Sequence, residues 1–138
     1  MLFRSLALLS YADMLKINDE EIHVVGAWIG IDSTDTDTIL QALLATFPRL
    51  QDVILTKGAD GAQYYGRTQQ FSVSALPIRV QDTIGAGDAF LSGYLAKKLQ
   101  GATVVEAMQH AALLSAYVAT QIGACPNYTK ADITTSFR

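Results

Sequence analysis

The sequence has very little of two residue types that mark whole classes of protein. It contains 1 cysteine, Cys125, and 2 histidines among 138 residues. A single cysteine excludes an internal disulfide, and two histidines far apart in sequence argue against a zinc site. The same cysteine usage predicts a reducing cytoplasm. An excess of basic charge is also lacking, since 10 Lys and Arg face 13 Asp and Glu, which predicts no nucleic-acid partner.

Long uninterrupted hydrophobic runs are lacking too, so the sequence predicts no membrane partner. The longest apolar segment, residues 104–122, carries Glu106, Gln109 and His110 and is typical of a buried helix. The first ten residues have an apolar run too short for an export signal, and Arg4 interrupts it. We expect a short amphipathic helix there. With 50% hydrophobic and 17% charged residues, the chain has enough apolar surface for a compact core.

Apolar periodicity and turn residues predict alternating strands and helices along the whole chain. The expected strands are residues 13–18, 53–56, 63–65, 71–73 and 77–80. The expected helices run from residue 19 toward residue 28, from the loop and cap residues 33–37 to about residue 47, from residue 88 to about residue 99 and from residue 104 to about residue 122. Strands that alternate with helices indicate an α/β fold around a mostly parallel sheet, with ligands beyond the carboxyl ends of the strands. Because no linker is visible, we expect a single domain over residues 1–138.

A glycine-rich turn, G-A-G at residues 85–87, joins a predicted strand to a predicted helix. Free N–H groups at a helix start bind anions, and glycine lets a phosphate approach the backbone. Two known phosphate loops do not fit this turn. A P-loop requires a lysine that is missing here, and a dinucleotide fingerprint requires glycine where Phe90 stands.

Asp88 follows this turn directly, where a phosphate is expected. One interpretation is structural, because an aspartate at a helix start can cap the helix, a contribution of about 0.5–2 kcal/mol. The other is catalytic. If an acceptor hydroxyl meets Asp88 while the glycine amides hold a phosphoryl group, the arrangement suits phosphoryl transfer, which needs mainly orientation and late proton acceptance.

The stretch D-T-I-G-A-G-D at residues 82–88 resembles the signature D-T-x-G-A-G-D of the ribokinase-like, or PfkB, family of carbohydrate kinases. The resemblance implies a three-layer α/β fold with a mostly parallel sheet flanked by helices. It also implies ATP-dependent phosphorylation of a sugar hydroxyl. Asp88 would be the catalytic base, and Gly85, Ala86 and Gly87 would form the anion hole.

Further motifs follow the order of the family, and the resemblance assigns them to nucleotide binding. Asn18 and Glu21 match its N-x-x-E motif, which acts on the nucleotide phosphates and, indirectly through Glu21, on Mg²⁺. Thr56, Gly58 and Gly61 match its T-x-G-x-x-G turn.

The resemblance also implies two features near the end of the chain. G-A-C-P at residues 123–126 is similar to the loop beside the adenine, which would place Ala112 near the nucleotide, with His110 a helix residue rather than a ligand. In the family, Asp82, the Ile84 carbonyl and the Gly123 region hold a monovalent cation such as K⁺.

The resemblance covers the C-terminal part of the family pattern, and the N-terminal sugar-binding part and the lid are absent. The run at residues 12–22 makes the chain fructokinase-like. Two alternatives stay open: an inactive nucleotide-binding or oligomerising module, and a nucleoside or vitamin kinase. Since a halved sheet exposes apolar edges, we expect a homo-oligomer or a complementing N-terminal chain. Residues 24–31 are unusually apolar, and we expect them to cover surface that the absent half would have buried.

Overall fold

The computed structural model describes residues 2–136 of the protein. Two compact units are present: one runs up to Gly58 and includes Ala62–Ser72, and the other comprises Ala59–Gly61 and the chain from Val73 onward. The single domain expected from the sequence stays a prediction. The elements in chain order are α1 Leu2–Leu9, β1 Met14–Asn18, α2 Glu21–Trp28, α3 Thr36–Thr46, β2 Asp52–Thr56, a 3₁₀ turn Gly58–Asp60, β3 Ala62–Gly66, β4 Gln70–Val73, α4 Ala86–Leu99, α5 Val104–Ala119 and α6 Lys130–Thr135.

The predicted α/β fold is confirmed, and its four described strands form one sheet in the order β1-β2-β3-β4. The strands β1 and β2 are parallel, with Met14 opposite Asp52 and Asn18 opposite Thr56. The strands β2 and β3 are antiparallel. This mixture follows from the connections, because a short turn joins only antiparallel strands, whereas a helical crossover joins parallel ones. The described sheet is therefore mixed, with the expected parallel pairing at β1 and β2.

The core of the first unit is aliphatic and lies where α2 and α3 meet the sheet. Ile39, Leu40 and Leu43 of α3 are fully buried, as the helical spacing of the apolar residues predicts. The ends of α3 are also satisfied. The Asp35 carboxylate accepts a hydrogen bond from the Thr38 amide, and the Arg67 guanidinium donates to carbonyls at and beyond the helix end.

The second unit is built on the pair α4 and α5, which pack closely. A Cβ atom at Gly93 would lie 3.2 Å from the Ala111 Cα, so glycine permits this approach. The helix α5 begins with a reciprocal capping box, in which the Thr103 side chain accepts from the Glu106 amide and the Glu106 carboxylate accepts from the Thr103 amide. A second box at Thr129 begins α6, a helix that the sequence analysis did not predict.

Several predicted boundaries need correction. The strand expected at residues 77–80 is wrong, because residues 74–80 have no regular secondary structure. Pro77 has no N–H to donate, and local apolar alternation cannot supply the partner strand that a β-strand requires. The helix α4 begins two residues before Asp88, and α5 ends at Ala119 rather than near residue 122.

The short amphipathic helix expected at the start of the chain is confirmed as α1, whereas Met1 lies outside the described residues. Leu6 and Leu9 of α1 pack on the aliphatic core, and Leu8 is exposed. Within residues 2–136, none of the helices combines the length and the apolar character that crossing a membrane requires.

Candidate active site

The glycine-rich turn leads directly into α4 and presents free backbone amides there. Gly85 is the N-cap residue, with a left-handed φ of 82°. The amides of Gly85, Gly87 and Asp88 donate no hydrogen bond within the described part of the chain, whereas the Ala86 amide donates to the Thr83 carbonyl at 3.2 Å. Three amides at the positive end of α4 are thus available to an anion. The free Asp88 amide is one that the sequence analysis did not identify.

The Asp88 side chain is exposed and lies in the first turn of α4. The structural interpretation requires this carboxylate to cap the helix. The N-cap position, however, belongs to Gly85, and no side-chain cap bond is present. Across residues 2–136 the Asp88 carboxylate has no hydrogen-bond or ion-pair partner. The capping interpretation is therefore wrong, and the carboxylate is free to meet another molecule.

The turn is held from two sides by contacts within the second unit. The Asp82 carboxylate accepts from the Ile84 amide at 2.9 Å and from the Gly123 amide at 3.4 Å. A Cβ atom at Gly85 would lie 2.6 Å from the Ala124 carbonyl oxygen, so the loop after α5 packs on the turn. The structure thus brings together Asp82, Ile84 and Gly123. Their role in binding a monovalent cation stays a prediction.

The N-x-x-E residues form a reciprocal cap at the start of α2. The Asn18 side-chain oxygen accepts from the Glu20 and Glu21 amides at 3.0 and 2.7 Å. In return, the Glu21 carboxylate accepts from the Asn18 amide at 3.0 Å. This arrangement fixes the two side chains relative to each other and leaves the Asn18 side-chain NH₂ without a partner in the described part of the chain. The pair can thus offer a ligand one hydrogen-bond donor, the Asn18 side-chain NH₂, and one carboxylate, that of Glu21.

The T-x-G-x-x-G residues form the turn between β2 and β3. The Thr56 hydroxyl donates to the Ile17 carbonyl at 3.4 Å, and the Thr56 carbonyl accepts from the Asp19 amide. Gly58 and Gly61 have left-handed φ values of 53° and 89°. A Cβ atom at Gly61 would collide with the Val73 carbonyl oxygen, at 2.1 Å, so only glycine fits there.

Ala112 and His110 lie on α5, as expected. Ala112 is half-buried. Burial lowers the pKa of His110 below its ordinary value, and the positive charges of Lys97 and Lys130 lower this pKa further. His110 thus lies on the helix as expected, and its role as a helix residue rather than a ligand stays a prediction.

The predicted site residues fall in both compact units. Asn18, Glu21, Thr56 and Gly58 belong to the first unit, and Gly61, Ala112, Gly123 and residues 82–88 belong to the second. Among the described residues, no three His, Cys, Asp or Glu side chains cluster as a metal site. The chemistry present is that of an anion site with an unpaired carboxylate.

These features are those of an α/β protein with a phosphate-type turn. Comparison with known families identifies the family to which the chain belongs. A family model described as pfkB family carbohydrate kinase matches residues 3–131. The chain therefore belongs to the pfkB family of carbohydrate kinases, which confirms the resemblance found in its motifs.

The chain is similar to several proteins named as sugar kinases. It is 34% identical over 130 residues to probable fructokinase-7 of Arabidopsis thaliana, covering 88% of this chain and 36% of that protein. The crystal structure of fructokinase from Vibrio cholerae O395, bound to fructose, ADP and calcium ion, is 29% identical with a TM-score of 0.79, covering 99% of this chain and 44% of that one.

A third similar protein is a putative ribokinase II from E. coli, solved in complex with ATP and Mg²⁺. It is 25% identical with a TM-score of 0.76, covering 85% of this chain and 36% of that one. The chain thus spans about two fifths of the length of these proteins.

Proposed function

We propose that this chain carries the phosphoryl-transfer site of an ATP-dependent sugar kinase, with fructose as the acceptor sugar. The observation that carries this proposal is the start of α4. Free amides of Gly85, Gly87 and Asp88 accompany an exposed carboxylate that has no partner. The relatives support the choice of substrates, since one is a fructokinase with fructose and ADP bound and another holds ATP and Mg²⁺.

The roles of the residues follow from charge and geometry. The amides at the start of α4 stabilise the negative charge that develops on the transferred phosphoryl group, which requires no reorganisation of the protein. The Asp88 carboxylate orients the acceptor hydroxyl and takes its proton late in the transfer. An exposed carboxylate at a helix start is a weak base, which suffices because a loose transition state demands little proton abstraction before the phosphoryl group has moved.

Further residues have proposed roles toward the nucleotide and the metal. We propose that Asn18 donates its free amide to the nucleotide phosphates and that Glu21 acts on Mg²⁺ through water, since Mg²⁺ keeps several waters and binds mainly to substrate phosphates. Thr56, Gly58 and Gly61 would contact the nucleotide, as would Ala112 beside the adenine. Asp82, the Ile84 carbonyl and Gly123 would hold K⁺.

The proposal is tested by measuring nucleotide binding and by substituting the proposed base, Asp88. Calorimetry should detect binding of Mg-ATP at millimolar concentration, and absence of binding would refute the proposal. If turnover with fructose is observed, Asp88→Asn should lower it by about 10²-fold or more while ATP affinity stays within about tenfold. The control Asp32→Asn, an exposed aspartate elsewhere, should leave turnover unchanged. Turnover by Asp88→Asn close to that of the parent chain would mean that the base is misassigned.

The same assay separates the alternatives. ATP binding without sugar-dependent ADP release would favour a nucleotide-binding or oligomerising module. ADP release with adenosine, but not with fructose, would favour a nucleoside kinase. The single exposed thiol, Cys125, suits the reducing cytoplasm in which we place this reaction.

We also propose that the chain associates through the open edge of β1. This strand is at the end of the described sheet and has β2 as its neighbour on one side, so its other edge is open. An open edge of this kind accepts a further strand, from a second copy or from a chain that supplies the sugar-binding part. Light scattering tests the first case, and a mass equal to one chain in dilute solution would exclude self-association.

A further inference from the structure

Ser115 connects α5 to the first turn of α4. Its hydroxyl is partly buried and donates to the Ala86 carbonyl at 2.9 Å, across 29 residues of sequence. The hydroxyl of Ser92, on α4, makes a similar bond of 3.0 Å to the Ala89 carbonyl, but that bond stays within a single helix turn. Ser115 therefore acts between elements, whereas Ser92 acts only locally.

The Ala86 carbonyl that Ser115 contacts belongs to a peptide group that also contains an N–H. The carbonyl oxygen of Ala86 and the N–H of Gly87 are parts of the same planar group, and they point in opposite directions. A hydrogen bond that fixes the oxygen therefore fixes the direction of the N–H. It also polarises the peptide, which strengthens the N–H as a donor. The Gly87 amide is one of the free donors at the start of α4.

We propose that Ser115 is a positioning residue, which aims and polarises the Gly87 N–H toward the phosphoryl group of the nucleotide. This inference rests on the proposed function of the turn. It assigns to α5 a part in phosphate recognition that no sequence motif indicates. Ser115 itself does not touch the nucleotide, so its effect must appear at the transferred phosphoryl group and not at the rest of the ligand.

The test compares Ser115→Ala with the matched control Ser92→Ala by calorimetry. Loss of one orienting hydrogen bond should weaken Mg-ATP binding by about three- to tenfold, while Mg-ADP, which lacks the transferred group, should bind within about twofold of the parent chain. Ser115→Thr keeps the hydroxyl and should restore Mg-ATP binding to within about twofold. Ser92→Ala should change neither affinity.

Two results would overturn this role. Equal weakening of ATP and ADP by Ser115→Ala would indicate a general packing effect, and failure of a folded Ser115→Thr to rescue would show that the hydroxyl is not the cause. A readout independent of nucleotide keeps the inference separate from the proposed function. Nitrogen-15 relaxation should show lower order parameters for the Gly87 and Asp88 amides in Ser115→Ala.

The combination of the two readouts is decisive. If the parent chain binds no ATP but the Gly87 amide loosens in Ser115→Ala, the proposed function fails and the positioning of the amide stands. If the Gly87 amide is unchanged in Ser115→Ala, the positioning role is refuted, whether or not ATP binds.

Discussion

The two compact units bury apolar surface in different ways. The core of the first unit consists of large aliphatic side chains from α2, α3 and the sheet, and Leu43, Val53 and Leu55 are fully buried. Many of the buried residues of α4 and α5 are instead small, among them Ala107 and Ala111. A large buried side chain removes more apolar area from water than a small one, and hydrophobic stabilisation scales with that area.

The small residues of the second unit have a different consequence. Because Gly93 and Ala111 allow α4 and α5 to approach closely, Ser115 on one helix reaches the backbone of the other. This bond adds to the contacts of Asp82 and Ala124 at the glycine-rich turn. Burial of large side chains thus stabilises the first unit, whereas the second unit uses small residues to place backbone groups.

The largest expected effect is on the core of the first unit. Leu43→Ala should lower the free energy of unfolding by about 2–5 kcal/mol, since it removes a fully buried side chain and leaves a cavity. Chemical denaturation measures this change. The control Leu99→Ala, at an exposed leucine of α4, should stay within about 0.5 kcal/mol of the parent chain. An equal loss of unfolding free energy in the two variants would contradict the stabilising role of large buried side chains in the first unit.

A smaller effect on stability, with a larger one on binding, is expected at the glycine-rich turn. Gly85 and Gly101 share a φ of 82°, so alanine at either position has a left-handed backbone that costs about 1–2 kcal/mol. An added Cβ meets the Ala124 carbonyl only at Gly85, whereas Gly101 has open space around it. We expect Gly85→Ala to weaken Mg-ATP binding by about tenfold or more, and Gly101→Ala to leave it unchanged.

Equal losses of ATP affinity in these two glycine variants would show that backbone strain alone matters. The packing of the loop after α5 on the turn would then have no role in binding.

Two helix caps in the first unit allow effects on stability to be separated from effects on binding. Asn18 caps α2 and Asp35 caps α3, so alanine at either position should cost about 0.5–2 kcal/mol of stability. Only Asn18→Ala should also weaken Mg-ATP binding, by about tenfold, because it removes a proposed phosphate donor. Denaturation and calorimetry give the two quantities. A similar loss of affinity in Asp35→Ala would remove Asn18 from the site.

The smallest expected effect is on the pH dependence of the free energy of unfolding. The pKa of His110 is lowered in the folded chain, so the unfolded chain binds a proton more readily. The contribution of His110 to stability is therefore complete above its ordinary pKa, and it is lost as pH falls through that value toward the lowered one. Denaturation at about pH 7.5 and about pH 5.5 should show a smaller loss of stability in His110→Gln than in the parent chain.

The control for the pH experiment is His23→Gln, which alters an exposed histidine. It should keep the full loss of stability at low pH. If His110→Gln keeps that loss as well, burial of the imidazole is not its source.

Much of the fold could be predicted because its signals are local. Apolar spacing located α3, and a cluster of Ser, Thr and Asp at residues 33–37 located the cap region, within which the structure identifies Asp35 as the cap. Residues 77–80 carried a local signal that failed, because Pro77 has no N–H to donate and apolar alternation alone does not supply a partner strand. The start of α4 was predicted two residues late, since Asp88 suggested a cap while Gly85 takes that position.

The candidate site also has features that the sequence predicted and features that it could not predict. The residues of the glycine-rich turn were identified from their types and spacing, because an anion-binding turn demands glycine before a helix. Which amides stay free could not be read from the sequence. That depends on the Thr83 carbonyl, which engages the Ala86 amide and leaves the Gly87 amide open.

By itself, the sequence determined the order of the elements from α1 to β4, the position of the phosphate-type turn and the family, since each depends on residues close together in the chain. Only the tertiary structure decided that Asp88 has no partner, that Asp82 links Ile84 to Gly123, and that Ser115 reaches Ala86. The physical reason is that hydrogen bonds are directional and short. Contacts between residues about 30 or 40 positions apart exist only once packing has fixed both partners.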